Sequence, residues 1–312
     1  QSAYRLFSVP LKLADGSPDD VLMDDLGNYD KTKWRFYDYQ NGNYLEYSST
    51  RDFSAGRSFF LIVKDPDKVI DTGAGELVAD SIVSVSLSAG WNFIANPFNF
   101  AIPVSALSIN DNLISYTGSW STPGEITELS PWEGYALKVE NPVSLAIRYP
   151  GEFGTALPKV SGITEAVWQI QIEAGCQTAK DPGNYAGVIN GASDEWDGDD
   201  FYEPPPIGDF ISVYFPHQDW VEHPDLYTGD FREVGKKGYK WDFEIQTTIQ
   251  DLIKLEFNRI AEVPAEYEVL LIDPALNQAQ DLRENQYYSM FNHRNLQVHK
   301  LSHRRLKCYF SC

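Results

Sequence analysis

Several short runs of this chain alternate apolar and polar residues one for one, and a period of two leaves few folds open. Tyr239, Trp241, Phe243 and Ile245 alternate with Lys240, Asp242, Glu244 and Gln246. Trp168, Ile170 and Ile172 alternate with Gln169, Gln171 and Glu173, and Ile253, Leu255 and Phe257 with Lys254 and Glu256. Tyr267, Val269 and Leu271 repeat the pattern. Successive side chains of a strand point to opposite faces, so each run buries one face and wets the other. Such runs, spaced about ten residues apart, predict antiparallel sheets. An aromatic content of 14% suits a pleated surface. No stretch has the period of a long amphipathic helix. The chain is expected to be all-β.

The first 150 residues contain an internal duplication. A shift of 76 positions sets Gly42 on Gly118, Tyr44 on Trp120 and Phe53-Ser54 on Leu129-Ser130. It also sets Phe59, Leu61 and Val63 on Tyr135, Leu137 and Val139, and Pro66 on Pro142. Upstream, Ser8-Val9-Pro10-Leu11 corresponds to Ala95-Asn96-Pro97-Phe98. Residues 1–150 are therefore expected to form one duplicated β domain, with copies at about 1–80 and 81–150. Pro150, Gly151, Gly154 and Pro158 interrupt regular structure, which predicts a linker at 151–162. Residues 163–291 are expected to form a β-sandwich, immunoglobulin-like or jelly-roll-like. Residues 292–312 stand apart: they carry Arg294, Lys300, Arg304, Arg305 and Lys307 without one acid, which leaves about −25 on the rest. This tail is expected to be non-native sequence following a truncated domain, and its His and Cys are not assembled into a metal site.

The run Gly90-Trp91-Asn92-Phe93-Ile94-Ala95-Asn96-Pro97-Phe98 resembles a GWN-x-I-x-NPF signature. That signature recurs in large secreted and cell-surface proteins of Bacteroidota-type bacteria exported by the type IX secretion system. Tyr4…Ser8-Val9-Pro10-Leu11, Asp25-Leu26-Gly27…Trp34-Arg35 and Ala55-Gly56-Arg57-Ser58-Phe59 fit the same pattern. Residues Trp196-Asp197…Glu203-Pro204-Pro205-Pro206, Asp209-Phe210, Leu271-Ile272-Asp273 and Asp281-Leu282-Arg283-Glu284-Asn285…Tyr288 are similar to the β-sandwich that often follows it. The resemblance implies an extracellular or cell-surface, multi-domain context and no particular chemistry. The motif itself reads as structural, with Trp91 packed on a sheet and Asn96-Pro97 fixing a turn.

Composition narrows the partners. With 45 acids against 25 bases and a net charge of −20, the chain repels phosphate backbones, so nucleic acid is not an expected partner. No apolar run approaches the ~18–20 residues of a bilayer span. Three cysteines, two at the extreme end, do not make a disulfide framework. The start at Gln1, without Met or an apolar leader, reads as a processed or excised piece.

Three groups of residues offer chemistry. Asp194, Glu195, Asp197, Asp199 and Asp200, set around Gly198, suit Ca²⁺, which takes six to eight oxygens in flexible geometry. They lack the EF-hand register, and the plainer alternative is a solvated acidic loop. His217 and His223 bracket Asp219 and Glu222 as Zn²⁺ or Cu²⁺ ligands would, at a spacing that matches no standard site. Trp120, Trp132, Trp196 and Trp220 fall in turn-like stretches where an aromatic face can stack on a sugar ring, or close a core edge instead. Trp34, Trp91, Trp168 and Trp241 lie on strand patterns and read as core. No Gly-x-Ser-x-Gly, His-Glu-x-x-His or phosphate-binding loop is present. The 45 acids leave room for a carboxylate pair without locating it.

The leading expectation is a non-catalytic scaffold or adhesion module of a larger secreted protein; across the readings the expected partner is an extracellular glycan or another surface protein. The alternatives are a glycan-binding accessory module using the loop tryptophans, with or without Ca²⁺, and a polysaccharide- or ester-cleaving hydrolase.

Overall fold

The computed structural model describes residues 3–109, 113–149, 165–291 and 302–311. The chain is all-β and divides into two compact units, Gln1–Gly162 and Ile163–Cys312. The expected linker at 151–162 lies outside the described residues.

The first unit contains β1 (Arg5–Ser8), β2 (Leu11–Leu13), β3 (Trp34–Gln40), β4 (Asn43–Glu46), β5 (Ser58–Val63) and β6 (Gly75–Leu77). There follow β7 (Ile82–Leu87), β8 (Gly90–Ala95), β9 (Ile102–Pro103), β10 (Ile114–Ser115), β11 (Glu128–Leu129), β12 (Gly134–Val139) and β13 (Val143–Arg148). The matched segments occupy equivalent places in two sheets, one ordered β1-β5-β3-β4 and the other β8-β12-β10. Register agrees as well: Phe7 faces Phe59 in the first sheet and Ile94 faces Tyr135 in the second.

The two sheets interlock through reciprocal bonds. The Ser8 amide donates to Trp132 O at 3.0 Å, and the equivalent Ala95 amide donates to Gly56 O at 2.9 Å. The Ser8 hydroxyl donates to Glu133 O at 3.0 Å, and the Ser58 hydroxyl to Ile94 O at 2.9 Å. At the crossing, a Cβ on Gly134 would stand 2.5 Å from Leu6 Cγ and from Ser58 Cβ, so only glycine permits the approach. Where Asn96 stands, the motif turn is pinned from inside. Fully buried, its amide nitrogen donates to Phe100 O (2.6 Å) and Leu129 O (2.9 Å), while its oxygen accepts the Phe98 amide.

One short helical piece was not expected. A π-type turn, Asp19–Met23, runs into an α turn, Asp24–Leu26, and buries Val21, Leu22 and Leu26 against Trp34 and Phe36. Pro18 before it, acids in its first turn and Gly27 at φ +76° after it are the usual helix punctuation.

The second unit contains β14 (Trp168–Gly175), β15 (Lys180–Ile189), β16 (Phe201–Tyr202), β17 (Ile211–His217), β18 (Asp225–Glu233) and β19 (Gly238–Thr247). It continues with β20 (Leu252–Asn258), β21 (Glu268–Asp273), β22 (Gln278–Asp281), β23 (Tyr287–Phe291) and β24 (Ser302–Ser311). Among the described residues these eleven strands form one sheet, ordered β22-β21-β24-β19-β17-β18-β15-β14-β20-β23, with β16 on β18. All neighbours are antiparallel except β15 and β18. The sheet curls until its ends meet. From β22, the Gln280 side-chain Nε2 donates to Asn285 O (2.7 Å) and Tyr287 O (3.0 Å), and the Tyr288 hydroxyl donates to Asp273. Inside the curl, Trp168 of β14 packs on Tyr239 and Trp241 of β19, so opposite stretches of one sheet form the core.

The basic tail corrects the expected boundary at 291. Residues 292–301 lie outside the described residues, but Ser302–Ser311 is a strand set between β19 and β21. Its alternation explains the placement: Cys308 and Phe310 are fully buried while Tyr309 faces out. The Phe310 ring lies 5.2 Å from Trp168 and 5.1 Å from Trp241. A central strand position selects apolar-in, polar-out order, and charge on the outward residues is tolerated there.

Candidate functional site

The acidic loop lies between β15 and β16, and its carboxylates turn toward their own backbone. Asp197 accepts the amides of Ser193 and Asp199, and Asp200 accepts those of Asp197 (3.0 Å) and Phe231 (2.9 Å). Asp194 is paired with Lys236, and Glu195 is exposed. The Asp197–Asp199 contact is an Asx turn, and the others likewise satisfy amides that would otherwise be stranded. Asp194, Glu195, Asp197, Asp199 and Asp200 thus do not converge on a point. Among the described residues no group of three or more His, Cys, Asp or Glu is arranged to hold a metal ion.

Asp200 is the buried member, 6% exposed. Burial, reinforced by the facing Asp230 carboxylate, pushes its carboxyl up to about 8. Asp230 itself is held below the usual range: burial works against ionisation, but His217 and Arg232 outweigh it. The Arg232 guanidinium grips both oxygens at 2.6 and 2.8 Å, and His217 Nε2 lies 2.7 Å from Oδ2. Residues 230 and 232 share a face of β18, so their spacing makes the pair a local one. A charge this deep needs such partners.

Two of the four loop tryptophans come together here with both loop histidines. The Trp220 ring lies flat on His217, 3.6 Å between centroids and 3° between planes, and meets Tyr227 edge-on at 4.7 Å. Trp220 is 5% exposed, so it seals the core and offers no face to a sugar ring, which corrects its expected role as a platform. Trp196 is half-buried and stacks on His223 at 3.8 Å, and its Nε1 is buried with no acceptor among the described residues. Each histidine stacks on a different tryptophan, His217 joining Asp230 and His223 Nδ1 meeting the Tyr202 hydroxyl at 3.3 Å. They do not form a metal-ligand pair, and His217 is buried.

The other two tryptophans belong to the first unit. Trp120 is half-buried against Tyr116 (4.9 Å), Phe60 and Phe93 (6.1 Å each), and the matched Tyr44 packs on the same two phenylalanines. Trp132 differs. It is 45% exposed and holds φ at +70°, where the matched position of the first copy has Gly56 at φ +86°. A side chain in this region costs about 1 kcal/mol. Trp132→Gly and Trp132→Ala both remove the ring, but only glycine relieves the backbone. The glycine variant is expected to be the more stable by about 1 kcal/mol in denaturant melts; equal midpoints would refute the strain.

One polar cluster is invisible as a motif because four strand regions supply it. Ser212 donates to Glu203 (2.7 Å), the Val213 amide donates to Asp181 (2.6 Å), and the Thr228 hydroxyl lies 2.9 Å from Asn184 Oδ1. Burial pushes Asp181 up to about 6, and burial with the nearby Asp181 pushes Glu203 well above the carboxylate range. Asp181 and Glu203 thus lie close enough to interact. Separately, a cavity of about 380 Å³ lies where the curled sheet meets itself, lined by Leu271, Asp273, Gln278, Ala279, Gln280 and Tyr288.

No helix among the described residues is long and apolar enough to cross a membrane. No family model, no curated protein and no solved structure matches the chain.

Proposed function

We propose that the chain is a non-catalytic scaffold or adhesion module of a larger extracellular protein. The observation that carries this reading is that, among the described residues, most of the chemistry-bearing groups of the acidic loop and around Asp230 are engaged with one another. The acidic loop caps its own amides, Asp230 is clamped by Arg232 and His217, and Trp196 and Trp220 stack on histidines. Groups engaged in this way rigidify a body and present no reactive atom. The resemblance of the Gly90–Phe98 run to secreted multi-domain proteins supports the extracellular setting.

Glycan binding is the second reading, favoured by Trp132 alone. An exposed indole held at a strained backbone position that the matched copy gives to glycine carries two costs with no visible structural return. Two screens decide between the readings. Polysaccharides and aryl esters are expected to show no turnover, and a glycan array no retention. Retention lost in Trp132→Ala would install the glycan module, and turnover lost in Glu203→Gln would install a hydrolase.

A further inference from the structure

The inward row of β21 changes character at its end. Val269 and Leu271 are buried and apolar, as alternation asks, but the next inward residue is Asp273, only 1% exposed. Across the ladder on β22, Gln280 stands opposite Leu271 and Gln278 opposite Asp273, so both amides share that inner face. Tyr288 reaches in from β23, where it stands opposite the buried Leu255. Four polar side chains thus gather where the rest of the curl buries hydrocarbon, and they line the cavity of about 380 Å³ at the seam. A break of this kind in an otherwise consistent pattern is expected at functional positions. Hydrogen-bond roles then leave the cavity rich in acceptors. Gln280 spends both Nε2 protons on Asn285 O and Tyr287 O, so Oε1 is what it offers inward. Tyr288 gives its proton to Asp273, and a carboxylate only accepts. The amides of Ala275 and Leu276 hold Asp273 Oδ1 in place at 3.0 and 3.2 Å. Gln278 is exposed and its side chain bonds no group among the described residues, so its amide oxygen is able to turn to the cavity. Leu271 and Ala279 supply an apolar wall, and none of the described lining residues is basic.

We propose that this cavity is a binding site for a guanidinium group carried on an alkyl stem. A guanidinium is planar and permanently charged, with five N–H donors and no acceptor, which is the complement of this lining. Its stem would lie along Leu271 and Ala279, as the stems of long cationic side chains do on apolar surface. An anion would meet the Asp273 carboxylate and a wall of oxygens, and is excluded. The net charge of −20 raises the local concentration of cations around the whole body. An arginine side chain of a partner protein and a free guanidine compound share this chemistry. The inference goes beyond the scaffold reading and does not rest on it.

The test titrates the full chain by calorimetry with butylguanidine and with butylurea, its neutral counterpart of the same shape. Butylguanidine is expected to bind, and butylurea to bind at least about tenfold more weakly. Asp273→Asn keeps the shape and removes the charge, and is expected to weaken butylguanidine by about tenfold. Gln278→Leu breaks no bond of the fold and is expected to weaken it by a smaller factor, so it keeps the test decisive if Asp273→Asn fails to fold. No binding of butylguanidine overturns the proposal, and so does equal binding of butylurea. Binding unchanged in the variants that fold overturns it too, since the cation would then sit adventitiously on the acidic surface. A blocked tripeptide with arginine between two glycines separates the sources. Binding as tight as that of butylguanidine assigns the site to a partner's arginine, and exclusion of the peptide assigns it to a free guanidine compound; both uphold the guanidinium site.

Discussion

Ending the chain at Phe291 is expected to abolish the cooperative thermal transition of the second unit while the transition of the first unit persists. The deletion removes β24 and exposes the edges of β19 and β21 together. It also uncovers Trp168 and Trp241, which Phe310 covers at 5.2 and 5.1 Å. Loss of one buried Phe side chain costs about 3–5 kcal/mol, and a domain of this size has only about 5–15 kcal/mol to lose. The single substitution Phe310→Ala isolates that part and is expected to lower stability by about 3–5 kcal/mol. Calorimetry of the two variants checks the order of the effects. A truncated chain that keeps two transitions would show that the basic tail is an appendage and not a strand of the body.

The second large effect concerns pH. The second unit is expected to lose stability as pH rises from 5 to 9, the reverse of what carboxylates held below their usual range produce. Asp200 sets the sign. Its folded value of about 8 lies above the ordinary 3.8, so the folded state holds the proton more tightly than the unfolded chain does. The stabilisation is complete below about 4 and is lost as pH climbs through 8. At about 1.4 kcal/mol per unit, a shift of this size is worth roughly 3–5 kcal/mol across the window. Asp181 and Glu203, both raised by burial, act in the same direction. Asp230, held low by His217 and Arg232, gives a contribution that fades only in acid and is flat here. In Asp200→Asn one of the two amide bonds is lost, so the readout is the slope of melting temperature against pH and not its height. The slope is expected to flatten markedly; an unchanged slope would clear Asp200 of the effect.

Part of the candidate site is legible in the amino-acid sequence and part is not. The turn role of Asn96 follows from its neighbours in sequence, since Asn-Pro with apolar flanks announces a pinned corner. The helical piece at Asp19–Leu26 is equally local, announced by Pro18 and Gly27, and period-two patterning alone passes over it. Trp196 and Trp220 are visible as loop residues, but turn propensity does not tell whether a ring faces solvent or a histidine. That depends on how the loops ahead of β16 and β18 fold back, a long-range matter. The pair Asp181 and Glu203 has no signature at all. Each is an ordinary acid in sequence, and only the convergence of β15, β17, β18 and the chain just after β16 sets them close enough to repel.

Alternation and internal similarity decided, by themselves, that this chain is built of strands and that its first unit repeats one plan. Those properties are set residue by residue, because side-chain direction along a strand is a local geometric fact. Which strand sits beside which was decided only by the tertiary structure. Seating Ser302–Ser311 between strands that precede it by many residues depends on pairings far apart in sequence, and no local pattern encodes the partner of an edge. Composition set the tail apart from the acidic body, while its apolar alternation admitted it to the sheet. Packing of Cys308 and Phe310 outweighed the oddity of charge, since outward residues meet solvent and inward ones meet the core.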